Sequence, residues 1–260
     1  MPTETIRIPT PDGAADALLV RPDDAEHPGV LLYPDAYGLR PAFQRIAERV
    51  ASWGYTVLVP NLFYRLGTAD ELAPTGDLRT PEGVAAMGNI RERITSITPA
   101  ETASDAAAYI GALRGAPGVA EGDVATAGYC FGGLQAVRAA ESLPDEVAAT
   151  AAFHTSNLVN DTPESAHRRV GDARAEFYLA FADDDPGATP EQIATLEAAL
   201  RDAGREFTSE VYPGARHGYA VTDVAAYQEA AAERHFAALH DLLDRSIGAG
   251  ARTREPAGLS

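Results

Sequence analysis

Short apolar runs and helix-spaced apolar positions alternate along most of the chain. Residues 5–8 and 17–20 flank the turn formers Pro11, Asp12 and Gly13, which predicts an antiparallel hairpin. Residues 29–33 and 55–59 are nearly unbroken apolar runs, the pattern of strands buried on both faces. Between them Phe43, Ile46, Ala47 and Val50 recur at helical spacing, so a helix is expected over 41–53, ended by Gly54. The pattern then dissolves. Residues 66–98 are Gly, Pro, charge and short apolar pieces that cannot make a core of their own, and read as an excursion over the sheet. An alanine-rich helix is expected over 99–114, with Pro99 in its first turn. Strands follow at 124–127, 147–153, 176–181 and 207–212. Thr189 is placed to cap a helix over 190–203, and a long terminal helix is expected over 225–247. Residues 248–260 have the composition of a disordered tail. Such alternation predicts one α/β domain over 1–247, with a mostly parallel central sheet and helices on both faces.

Composition narrows the function. The chain has 260 residues, 45% of them hydrophobic, enough to bury one large core. Its formal net charge is −17, and its 21 basic residues are all arginine. With lysine absent, a Schiff-base mechanism and a phosphate-loop lysine are both excluded. The acidic balance argues against nucleic acid and against an anionic membrane surface. Cys130 is the sole cysteine, so neither an intrachain disulfide nor a cysteine-cluster metal site can form. Residues 1–5 lack a basic stretch leading into an apolar run, and no segment reaches membrane-spanning length. A cytoplasmic protein without metal or membrane partner is expected, as a monomer or homodimer.

The chemistry gathers at the ends of the strands. In a parallel sheet, functional groups collect at the carboxyl edge. After the strand at 124–127 comes Gly128-Tyr129-Cys130-Phe131-Gly132-Gly133, a G-x-C-x-G elbow leading into a helix-forming run. Glycines two residues either side of Cys130 let strand and helix meet closely. The turn sets the sulfur at the positive end of a helix, which favours a thiolate. Most lone cysteines are buried and inert; strand, elbow and helix together point here to a nucleophile. Asp183, Asp184 and Asp185 follow the strand at 176–181, and His217 follows the strand at 207–212 in a Gly-rich loop. Nucleophile, acid and histidine therefore occur in the chain order of an α/β-hydrolase triad. Among the three aspartates Asp185 is favoured because Pro186 and a helix follow it, with Asp183 and Asp184 as alternatives.

The elbow, the aspartate loop and Tyr212-Pro213-Gly214-Ala215-Arg216-His217-Gly218-Tyr219 together resemble the dienelactone hydrolase family, over about residues 29–243. The resemblance implies an α/β-hydrolase fold and a Cys130–His217–Asp185 triad that opens a small-molecule ester or lactone without a cofactor. It also implies an oxyanion hole made by the backbone N–H groups of Phe131 and Ala36. Asp35 falls where the family's thiol-positioning carboxylate stands, one methylene shorter than the glutamate of the prototypes. Those prototypes carry an arginine four residues after the catalytic histidine, and here that residue is Val221. Arg91 and Arg93, in the excursion over the active-site side, are candidates for a second family arginine. Losing one bidentate carboxylate partner costs a charged substrate roughly a few kcal/mol, which implies a preference other than dienelactone itself. Tyr37, Tyr64, Arg65, His154 and Tyr219 are further candidates for the pocket lining, whereas His27, His167, His235 and His240 read as ordinary surface residues. Two other classes fit the same residues. One is a thiol-based redox sensor at Cys130, weakened by the lack of a resolving cysteine. The other is a hydrolase fold used as a non-catalytic binding module.

Overall fold

The computed structural model describes residues 1–183 and 185–248. Its strands are β1 (Thr3–Thr10), β2 (Gly13–Val20), β3 (Gly29–Tyr33), β4 (Thr56–Pro60), β5 (Val124–Tyr129), β6 (Val147–Phe153), β7 (Glu176–Ala182) and β8 (Phe207–Tyr212). They form one sheet in the order β1-β2-β4-β3-β5-β6-β7-β8. β1 pairs antiparallel with β2, and β2 antiparallel with β4; every other pairing is parallel. The sheet is thus parallel wherever a helical crossover links its strands, and antiparallel only at the hairpin edge.

The long helices are α1 (Pro41–Ala51), α5 (Pro99–Gly115), α6 (Phe131–Ser142), α7 (Pro190–Asp202) and α8 (Glu229–Ser246). Alternate residues of each central strand face opposite cores. On β3, Leu31 and Tyr33 pack with Tyr109, Ile110 and Leu113 of α5 and Val137 of α6. Val30 and Leu32 pack on the other face with Phe43 and Val50 of α1 and Leu239 and Leu243 of α8. Continuous apolar sequence in β3 and β4 is the consequence of being covered twice.

Capping fixes where helices begin. Thr189 and Gln192 form a reciprocal capping box at α7, and Thr98 and Glu101 form one at α5. Residues 66–98 are not irregular throughout: α2 (Ala69–Leu72), α3 (Pro81–Ala86) and α4 (Ile90–Thr95) each start from a polar cap, Thr68, Thr80 and Asn89. The terminal helix starts later than its periodicity suggests. Gln228 donates its main-chain N–H to Tyr219 O (3.0 Å) and its side-chain Nε2 to Gly214 O (3.0 Å), which holds 225–228 in the loop after β8. The tail expected over 248–260 lies, beyond Gly248, outside the described residues. Among the described residues no helix is long and apolar enough to cross a membrane.

Candidate active site

Cys130 immediately precedes α6 with φ +54° and ψ −120°, a conformation that side chains rarely adopt. Its neighbours enforce it. The Cys130 N–H donates to Phe153 O on β6 at 3.0 Å, and Gly133 N–H donates to Cys130 O at 3.1 Å. A Cβ on Gly128 would lie 2.1 Å from Gly132 O, and one on Gly132 would lie 2.3 Å from both Tyr33 O and Pro34 O. The two glycines of the elbow are therefore steric requirements, and α6 starts hard against the loop that follows β3. The sulfur is half-buried at the N-terminus of a twelve-residue helix.

The fold brings His217 and Asp185 to this elbow from β8 and β7. His217 Nδ1 pairs with Asp185 Oδ2 at 2.6 Å, and the Cys130 sulfur lies close enough to the imidazole to help raise it. Asp185 is almost wholly buried, and its oxygens also accept from Ser156 Oγ (2.9 and 3.1 Å) and from the Gly187 N–H (2.9 Å). Burial pushes the Asp185 carboxyl up, but the bonds from His217, Gly187 and Ser156 outweigh it and bring it to about 2. Burial likewise pushes His217 down, yet the bonds to Asp185 and Cys130 and their charges raise it to about 10. At neutral pH the acid is a carboxylate and the histidine carries a proton. Asp183 instead shapes the His217 turn, since its Oδ2 accepts from Gly214 N–H and its own N–H donates to Ala215 O, both at 2.7 Å. Asp184 lies outside the described residues. Ser156 stands just past the carboxyl end of β6, but no spacing in the sequence marks it as a partner of Asp185.

The N–H groups of Ala36 and Phe131 donate to no protein acceptor among the described residues, and both flank the close approach of α6 to the β3 loop. Asp35, expected beside the thiol, gives both oxygens to Arg40, at 2.7 and 2.9 Å, and one also to the Tyr37 N–H at 2.9 Å. Tyr37 is half-buried, its phenol raised by burial and then by the charges of Asp35 and Cys130.

The remaining candidates divide. Arg93 turns inward: its guanidinium lies 5.3 Å from the Phe63 ring, which stacks on Phe131 at 5.9 Å, and its Nη1 is buried without a partner. Arg91 is exposed. Tyr64 donates to Asp105 (2.9 Å) and accepts from Thr10, while Arg65 binds Asp12 (2.6 Å) and Asp105 (2.7 Å), so this pair ties the hairpin to α5 rather than meeting substrate. Tyr219 is buried in the α8-side core with its hydroxyl on Ala180 O (3.3 Å), which makes it packing. His154 is also buried, its ring 5.3 Å from that of His217, beneath the base rather than open to a ligand. His235 is no surface histidine: it is fully buried, with Nε2 3.1 Å from the Tyr129 hydroxyl.

Comparison with known proteins gives the family. The dienelactone hydrolase family model matches residues 15–247. The chain belongs to the dienelactone hydrolase family. A Synechocystis protein given the name carboxymethylenebutenolidase is 29% identical over 212 residues, covering 80% of this chain and 82% of that one. A Methylorubrum extorquens protein of the same name is 24% identical over 219 residues, covering 82% and 71%. Among solved structures, a Klebsiella pneumoniae protein described as a dienelactone hydrolase superposes with a TM-score of 0.80 at 20% identity, covering 94% of this chain and 98% of that one. This member of the family therefore has the α/β-hydrolase fold and is a hydrolase of the dienelactone hydrolase type.

Proposed function

We propose that the protein cleaves a small carboxylic ester or lactone through a Cys130 acyl-enzyme, and that Arg93 receives an anionic group of the substrate. The observation that carries the reading is the Asp185–His217–Cys130 chain of contacts at a strained elbow. The sulfur, at the N-terminus of α6 and beside His217, attacks the carbonyl carbon as a thiolate paired with the imidazolium. Negative charge passes from sulfur to the carbonyl oxygen, which lies within the unpaired N–H groups of Phe131 and Ala36. The C–O bond to the leaving group breaks as the imidazolium protonates the departing alkoxide.

The thioester sulfur carries no charge. Two of the interactions that raise His217, its bond to the thiol and the thiolate charge, are then gone, and the imidazole becomes a better base for the attacking water. Water takes the acyl group, the thiolate leaves, and the proton returns to His217. Arg93, with one Nη unpaired beside the Phe63–Phe131 stack, supports an anionic substituent. Val221, where the family prototypes have arginine, is buried and apolar, which fits a substrate other than dienelactone. The acidic composition and lone free thiol fit a cytoplasmic enzyme, monomeric or dimeric, with no nucleic-acid or membrane partner.

A panel of neutral and anionic esters and lactones, run on wild type and Cys130→Ala, tests the reading. Turnover by wild type that is lost in Cys130→Ala, and lost on alkylation by iodoacetamide, is expected. Undiminished hydrolysis by the alanine variant would refute it. A wild type that alkylates readily but turns over no ester would favour the redox-sensor or binding-module classes.

A further inference from the structure

Arg40 has no place in the chemistry above, yet its guanidinium is 2% exposed and every one of its N–H donors is used. Nε donates to Asp223 Oδ2 (2.8 Å), and Nη2 donates to Asp223 Oδ1 (3.0 Å) and Asp35 Oδ2 (2.9 Å). Nη1 donates to Asp35 Oδ1 (2.7 Å) and to Gly38 O (3.0 Å). Five donors meet five acceptors, the full capacity of the group. The ring of Phe43 lies 5.0 Å beneath it.

The acceptors come from two loops. Asp35 and Gly38 bracket Ala36 and are further tied by the Gly38 N–H to Asp35 O (2.9 Å). Asp223 stands at the end of a succession of turns that begins beside His217, through Tyr219 N–H to Arg216 O (2.9 Å) and Val221 N–H to Gly218 O (3.1 Å). Arg40 and Asp223 are 183 residues apart in sequence. We infer that Arg40 is a positioning residue that brackets the Ala36 loop to the His217 loop and so fixes the oxyanion donor relative to the base. Ala36 is otherwise on a loop with no ladder to hold its N–H in place. The inference rests on the acyl-enzyme reading for what the bracket is for, though not for its existence.

Asp223→Ala tests it in the full-length protein, because it cuts one side of the bracket and leaves Asp35 on Arg40. Deuterium exchange of the amides at 35–38 is expected to rise several-fold in that variant, although the substitution is far away in sequence. For an ester that wild type turns over, kcat should fall about 10- to 100-fold with KM within about threefold, as for a displaced oxyanion donor. Alkylation of Cys130 by iodoacetamide needs no oxyanion donor and should keep its rate. Arg40→Lys, which keeps the charge but cannot grip two carboxylates, should behave like Asp223→Ala. Unchanged exchange at 35–38 in folded Asp223→Ala would overturn the bracket, and so would wild-type kinetics in Arg40→Lys. A fall in alkylation matching the fall in kcat would also overturn it, by placing the damage at the thiol. Exchange requires no substrate, so absent ester turnover in wild type would count against the acyl-enzyme reading alone.

Discussion

Replacing Asp185 by Asn should lower the pH at which His217 loses its proton. The substitution keeps the shape but removes the charge that accepts the 2.6 Å bond from Nδ1. In the wild type His217 is held up at about 10 against burial, by its bonds to Asp185 and Cys130 and by their charges. A hydrogen bond to a charged group contributes about 1.5–3 kcal/mol, and about 1.4 kcal/mol moves a midpoint by one pH unit, so the change is about 1–2 pH units. The His217 side chain is 37% exposed, and solvent screening favours the lower end, about one pH unit. The histidine Cε1–H resonance, followed by NMR from neutral to alkaline pH, reports the midpoint directly. The linked stability has a definite sign. In the wild type the contribution of protonated His217 is complete below its ordinary value of 6.5 and fades as pH rises through about 10. Asp185 contributes above its ordinary value of 3.8 and loses its contribution as pH falls through about 2. An Asn variant whose His217 titrates at the wild-type midpoint would refute the reasoning, and so would a wild-type midpoint near 6.5.

Three further outcomes follow from other parts of the structure. Arg93→Gln should raise KM for carboxylate-bearing esters by about 10- to 100-fold while leaving neutral esters unchanged, as read by paired Michaelis curves. Gly132→Ala should cost about 1–3 kcal/mol in urea unfolding and depress kcat, because its Cβ would press on Tyr33 O and Pro34 O and push the Ala36 loop off the elbow. Glu141 is buried with Oε1 unpartnered, and burial drives its carboxyl from 4.5 up to about 8 despite Arg138 and Arg169. The folded state thus binds that proton more tightly, and stability should fall as pH climbs from 4.5 to about 8. Glu141→Gln should remove the fall and raise thermal stability at pH 8–9 by about 2–4 kcal/mol, with little change near pH 4.5.

Much of the fold was legible because β3 and β4 lie between two helical layers, and double burial writes itself as unbroken apolar sequence. The rule that chemistry gathers at carboxyl strand ends led to Cys130, Asp185 and His217, which the fold joins. The same rule also pointed to Tyr64 and Arg65, whose partners Asp12 and Asp105 lie on the hairpin and α5, where no local pattern announces them. Asp35 read as a thiol partner on the family resemblance, which gives no sign that Arg40, five residues on, takes both of its oxygens. His235 looked like surface because the aromatic cage of Tyr129, Phe153 and Phe236 around it comes from three separate elements. The late start of α8 escaped periodicity because backbone and side-chain bonds from Gln228, not apolar spacing, decide it.

The positive φ at Cys130 sets stability and reactivity against each other. A non-glycine residue in sparsely populated backbone stores about 1–3 kcal/mol. Glycine there would release that strain while adding about 0.5–1 kcal/mol of chain entropy to lose on folding. A scaffold stripped of its sulfur by Cys130→Gly should therefore melt no lower than the wild type. Drift toward thermal robustness would by itself erase the nucleophile, and a chain that keeps cysteine in so unfavourable a turn is one whose fold gains nothing from it.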